Sequence, residues 1–300
     1  MKEKKGTSQK ARRDKSKERT FFLFTVPGFL LYSFFFIVPV LMGIYYSVTD
    51  WDGISKSYNF IGLGNYVKIF HTNQFLDALF FTLKYTALLI VFTIVLGIVI
   101  AMLLNRKIKG RGFFRTVYFI PAVLSSLTVG LIFNKICYYM IPVIGNALHI
   151  QALSQNPLAD KNLAMWTILF VNLWQGLCIP TLLFLAGLQS VPVDLYDGAA
   201  LDGASSWDIF RYITLPFILP VVSVVFVLTL KSGLMVFDYI KAMTDGGPGS
   251  ATRSVAMLIY KHGFTQNKYA FSIAESIVMG ILVAAISAAQ IYFTDKKKAV

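Results

Sequence analysis

The sequence predicts an all-α polytopic membrane protein with six transmembrane helices. Three observations carry this. The 300 residues are 56% hydrophobic and only 14% charged, with a mean hydropathy of +0.63, outside the range of soluble domains. Six apolar runs each reach the roughly 20 residues needed to cross the hydrocarbon core as a helix. The basic residues are clustered between these runs rather than spread along the chain. Helices are required because backbone groups facing lipid must be paired within their own span.

Residues 1–20 form a basic tail with nine Lys and Arg, suited to anionic headgroups. The six-span apolar domain is expected over 21–293, with a short cytoplasmic tail over 294–300. The first run, Phe21 to about Val48, is too long for a signal-peptide core and lacks a small-residue cleavage site, so it reads as an uncleaved span. Pro27 and Pro39 are candidate kinks. The second span is expected from Leu79 to Leu104, followed by a basic loop from Asn105 to Arg115. The third runs from Val117 to about Cys137, interrupted by Pro121. A polar connection covers Tyr138 to Asn162. The fourth runs from Leu163 to Leu188, with Pro180 as a bend. The fifth runs from Leu215 to about Asp238, and the sixth from Ala270 to Phe293. Between these two lies a long loop broken by Gly246-Gly247-Pro248-Gly249.

Lys and Arg counts set the orientation. With the N-terminus inside, the inner segments hold 18 of the 28 and the outer loops hold 7. Both termini are therefore expected in the cytoplasm. The same clustering argues against a nucleic-acid binder, which would spread basic charge over a polar face. Cys137 and Cys178 lie in apolar runs and read as buried free thiols. His71, His149 and His262 have no metal-ligand spacing, and no metal site is expected.

The connection over 190–216, between the fourth and fifth spans, is distinctive. It is rich in small residues, Gly198, Ala199, Ala200, Gly203 and Ala204, with Asp194, Asp197 and Asp202 between them. Gly203 suits a left-handed turn that ends a helix. Ser205 and Asp208 suit a capping box for the next one. Pro216 suits the first turn of the apolar helix that follows. Read from composition alone, this is a flat helix face for a close partner or an ordinary cytoplasmic connector.

The order Tyr196-Asp197-Gly198-Ala199-Ala200, then Asp202-Gly203-Ala204, Trp207, Phe210 and Ile213-Thr214-Leu215-Pro216 resembles the coupling loop of bacterial binding-protein-dependent ABC importer permeases. The sugar-importing, maltose permease-like branch is closest. That family usually has Glu-Ala-Ala where Asp197-Gly198-Ala199 stands. Ile61-Gly62-Leu63-Gly64-Asn65-Tyr66 is also similar to a segment that follows the first span in this family. The resemblance implies the type I ABC importer permease fold. It also implies that residues 196–200 and 202–204 meet a cytoplasmic ATPase. Gly246, Gly247 and Pro248 resemble the external loop that meets the solute-binding protein; read alone, they are a turn.

Two polar faces within spans are candidates for solute contact. Asn172, Gln175, Gly176 and Ile179 share one helical face of the fourth span. Thr229, Ser232, Gly233 and Val236 share one arc of the fifth. Hydrogen bonding between helices is the plain alternative for the first set. The resemblance to the larger maltose permease subunit implies that both faces touch sugar. Bulk at Gly233 would then block transport while leaving assembly intact. Lys231, the cation well inside a span, points away from this arc on the wheel. It is expected to pair elsewhere, with Glu275 as a candidate, or to snorkel.

No Walker A motif or other phosphate-cradling loop occurs, and no catalytic set is evident, so the chain is not expected to be an enzyme. The resemblance implies a carbohydrate importer subunit in a bacterial plasma membrane. Its implied partners are a second homologous permease, an ABC ATPase dimer that binds ATP and Mg²⁺, and an extracellular solute-binding protein. Lipid surrounds the complex. Glycerol phosphate or an acidic sugar is an alternative solute. A secondary transporter or a membrane-embedded transferase is an alternative class, but the first usually needs acids within spans, and only Glu275 offers one.

Overall fold

A computed structural model describes residues 20–106, 109–151 and 154–298. The basic tail, apart from Thr20, and Lys107 of the basic loop lie outside these residues. Among the described residues the chain is helical. The long helices are α1 (Thr20–Ser47), α3 (Asn73–Asn105), α5 (Ser126–Ala147) and α9 (Ser206–Leu234). A bent pair, α6 (Leu163–Gly176) and α7 (Cys178–Gln189), is followed by the short α8 (Val193–Leu201). The last helix is α12 (Tyr269–Lys298). Short helices α2 (Gly64–His71), α4 (Arg111–Phe119), α10 (Asp238–Met243) and α11 (Val255–Tyr260) fill the connections.

Six crossings result if the α6–α7 pair is one span with a 49° bend. The bend falls at Leu177, three residues before Pro180. A proline ring collides with the carbonyl four residues earlier, here Gly176, so the helix yields just after that point. Three other prolines are absorbed differently. Each of α1, α5 and α9 carries one widened π turn, at Ser33–Ile37, Ile136–Met140 and Phe210–Thr214. The proline two residues beyond it is Pro39, Pro142 or Pro216. The carbonyl that the ring would strike belongs to Phe35, Tyr138 or Tyr212, the middle residue of the widened turn. Widening moves that carbonyl aside without ending the helix.

The bounds of four spans differ from expectation. The second begins at Asn73, not Leu79. The third span is Ser126–Ala147, not Val117–Cys137. Leu124 and Ser125 are extended, which isolates α4 and the turn at Ile120–Val123 as a separate piece. The fifth span does not begin at Leu215, because α9 runs unbroken from Ser206; it ends at Leu234, before Asp238. The sixth helix continues past Phe293 to Lys298.

α3 is the axis of the bundle, packed along α9 and α7. One core gathers Tyr85, Leu89, Ile168, Leu169 and Ile240, a second Ile69, Phe75, Leu234 and Leu258, and a third Ile98, Phe184 and Ile218. Close crossings use missing side chains, as membrane helices do. A Cβ on Gly130 would lie 2.7 Å from Ala242, and one on Gly187 2.9 Å from Val221. The first helix is the exception. No side chain in its most apolar stretch is buried, and its C-terminal part packs on α12. Glu275 does not reach Lys231; it is buried against His262, Nδ1 to Oε2 2.9 Å.

Candidate functional site: a cavity on α9 and an exposed elbow

The two polar faces separate into residues that meet and residues that pack. Asn172, Gly176, Ile179, Thr229 and Ser232 line one cavity of about 270 Å³. Asn172, Ser232 and Val236 also line a second cavity of about 300 Å³, with Lys231, Asp238 and Ser126. Six of the eight residues assigned to the solute faces thus surround one region beside α9.

Gln175 is not part of its wall. Its amide nitrogen donates to the carbonyls of Leu124 (2.7 Å) and Pro121 (3.2 Å), and its oxygen accepts from the Tyr239 hydroxyl (2.7 Å). The side chain closes the break between α4 and α5, where backbone carbonyls have lost helical partners. For Gln175 the hydrogen-bonding alternative is the better description. Asn172 does both jobs: its nitrogen donates to the Tyr85 hydroxyl (2.8 Å), and it lines both cavities. Gly233 is also misplaced by the helical wheel. It faces α3, where an added Cβ would lie 2.8 Å from the Thr86 side chain and 3.0 Å from its Cα. Its role is helix contact, not bare backbone toward a solute.

Lys231 reverses its expectation in the other direction. It lines the 300 Å³ cavity beside Ser232. The wheel assumed a helix continuing to Asp238. Instead α9 ends at Leu234, and the chain turns sharply at Met235–Phe237, bringing Asp238 and Tyr239 to the same cavity. The corner is fixed by Ser254, which donates to the Val236 carbonyl at 2.7 Å. Tyr85, Ser126, Asp238 and Tyr239 were missed by sequence reasoning. A tyrosine inside a span is a signal for the first; no local signal marks the other three.

Within the connection over 190–216 the two helix caps form as their residues predict, whereas Pro216 lies inside α9 rather than in its first turn. Helix α8 ends in a Schellman motif. Ala204 N–H donates to Ala199 O (2.9 Å), Gly203 N–H donates to Ala200 O (3.2 Å), and Gly203 has φ +76°. Ser205 and Asp208 form the reciprocal capping box that starts α9. Tyr196 touches Thr214 of α9, hydroxyl to hydroxyl 3.2 Å. Asp197, Gly198, Ala200, Asp202 and Gly203 are exposed, and Ala199 and Ala204 are half-buried. Leu201 is 89% exposed and Trp207 65%, so this elbow presents apolar side chains that its own chain does not cover.

The Gly246-Gly247-Pro248 turn is braced from within. Thr252 donates to the Gly247 carbonyl, and its hydroxyl lies 2.8 Å from that of Thr244. Gly246 is buried, with φ +87°; Gly247 and Pro248 are half-buried. The outward surface belongs to Asp245, Gly249 and Ser250. Asp245 adopts φ +52°. It accepts from Lys241 at 2.6 Å, a contact that holds the ammonium above its usual pKa. A wider cavity, about 740 Å³, lies apart from both sites, between Asp50–Asp52 and Gln266–Phe271.

The chain is 42% identical over 273 residues to the multiple sugar-binding transport system permease protein MsmF of Streptococcus mutans, covering 91% of this chain and 94% of that protein. It is 34% identical over 278 residues to the probable starch degradation products transport system permease protein AmyD of Thermoanaerobacterium thermosulfurigenes, covering 93% and 94%. Its fold matches a chain of a bacterial alginate ABC transporter solved in complex with an alginate pentasaccharide-bound periplasmic protein. That match has a TM-score of 0.80 and 22% identity, covering 95% of this chain and 96% of that one. The profile of the binding-protein-dependent transport system inner membrane components matches residues 93–298. With that match over more than half its length, the chain belongs to the family of binding-protein-dependent transport system inner membrane components.

Proposed function

We propose that this chain is one permease subunit of an ATP-driven importer, forming half of the route taken by a carbohydrate that a solute-binding protein delivers. The elbow of α8, Gly203 and the capped start of α9 carries the reading. It is rigid, because both helix ends are closed by their own caps. It is unpartnered, because Leu201 and Trp207 are left open. It is joined without interruption to α9, which lines the cavity. A push on the elbow therefore reaches the cavity wall through a single helix.

The ATPase dimer that pushes would hold ATP and Mg²⁺, and a second homologous permease would close the open side of the cavity. The solute-binding protein would dock near Asp245–Ser250, at the end opposite the elbow. Both termini and the elbow would face the cytoplasm, in line with the Lys and Arg bias. A carbohydrate suits Asn172, Thr229 and Ser232, which donate and accept hydrogen bonds without charge. The sugar and starch-product names of the two relatives point the same way.

The test is reconstitution. The chain, coexpressed with its candidate permease, ATPase and binding-protein partners, is expected to copurify with the ATPase and to support ATP-dependent oligosaccharide uptake in proteoliposomes. Uptake that persists without ATP and follows an ion gradient would refute the proposal.

A further inference from the structure

We infer that Lys231 and Asp238 are specificity-determining residues of this cavity and make it favour uncharged, hydroxyl-rich solutes over acidic ones. The inference rests on the carbohydrate-route reading above. It starts from a cation in the last turn of a span: Lys231 lines the same cavity as Asn172, Ser232 and Asp238. Three features set its surroundings. It stands in the last turn of α9, where the negative end of the helix dipole favours a cation. The chain reverses at Met235–Phe237 and returns Asp238 to the cavity. Ser254 secures that reversal through the Val236 carbonyl.

The cavity wall thus carries one ammonium, one carboxylate, one amide and three hydroxyls. An ammonium only donates hydrogen bonds, and an ionised carboxylate only accepts them. A sugar hydroxyl does both, so neighbouring hydroxyls of one ring can accept from Lys231 and donate to Asp238. A uronate or phosphate group can satisfy Lys231 but sets a like charge before Asp238, at reduced dielectric. The balance of the pair, not the lysine alone, sets the preference.

The experiment reads the field in the cavity directly, in the full permease–ATPase complex. Ser232→Cys is modified with an anionic and a cationic methanethiosulfonate reagent of similar size, and the ratio of the two rates is measured. The native Cys137 and Cys178 are buried, and the complex without Ser232→Cys serves as background. Adding Lys231→Met should lower the anionic-to-cationic ratio about tenfold, and adding Asp238→Asn should raise it severalfold. Adding Lys231→Arg should leave it within about twofold, since the charge is retained. The same variants, purified as intact complexes, should shift uptake selectivity between a neutral and a uronate-containing trisaccharide in the same directions. A ratio that neither Lys231→Met nor Asp238→Asn changes would overturn the inference. Full uptake after Ser232→Cys is completely modified would instead overturn the route reading beneath it.

Discussion

The elbow over 190–216 and the cavity beside α9 lie on one helix and are built by opposite means. At the elbow both helix caps are local. Hydrogen bonds join residues three to five apart, Gly203 supplies the left-handed turn, and the outward side chains touch little of the chain. At the cavity the decisive contacts join distant segments. Asn172 meets Tyr85, Gln175 meets Tyr239, and Gly233 meets Thr86. A substitution at the elbow should therefore spare the fold and lose coupling. One behind the cavity should damage the fold first.

The largest effect tests that division at Gly233. Gly233→Trp should prevent assembly rather than merely block transport, because the side chain would enter α3. Even Gly233→Ala overpacks the crossing, at a cost of about 1–3 kcal/mol. Detergent-solubilised yield and thermal melting of the complex report it. A well-assembled Gly233→Trp complex that fails only in uptake would return Gly233 to the cavity wall.

Gly203→Asp is the matching change at the elbow. A Cβ there meets nothing within 4 Å of its own chain, so the local cost is left-handed strain, about 1–2 kcal/mol. The complex should insert, while ATPase copurification and uptake fall to background. Ser250→Asp adds the same charge on the exposed far loop and should change neither. Equal behaviour of the two variants would remove the elbow from the transmission path.

Gln175→Leu should give an intermediate effect. It strips partners from the Pro121 and Leu124 carbonyls and from the Tyr239 hydroxyl. Each buried group left unpaired costs about 1–3 kcal/mol. The melting temperature should fall, while the residual assembled complex keeps its solute preference. A change of preference without loss of stability would place Gln175 on the solute side.

The smallest effect belongs to the loop after α1. Asp52 accepts hydrogen bonds from the Ser55 hydroxyl and from the Ser55 and Ile54 amides, which lower its pKa from 3.8 to about 2. A depressed carboxylate stabilises the loop above its unfolded pKa, and the contribution fades as pH falls through about 2. Trp51 donates to the Ser55 carbonyl in the same loop, so its fluorescence should hold steady from pH 7 to 4 and change below. In Asp52→Asn that acid step should be absent.

Six apolar runs, their order and the elbow were legible in the sequence because each is a short-range property. Hydropathy over about 20 residues decides insertion, and a Schellman turn or capping box needs only residues within one turn of each other. Pro216 shows where that logic stops. Its missing N–H suits a helix start, yet a π turn at Phe210–Thr214 carries the helix straight past it. The sequence by itself determined that this chain crosses a membrane and how the two helix caps of the elbow form. Only the tertiary structure decided which polar residues face the cavity. Lys231 and Gly233 lie two residues apart, and the wheel reversed their roles. The end of α9 at Leu234 and the approach of Thr86 on α3 are set by contacts between segments far apart in the chain, which no local periodicity encodes.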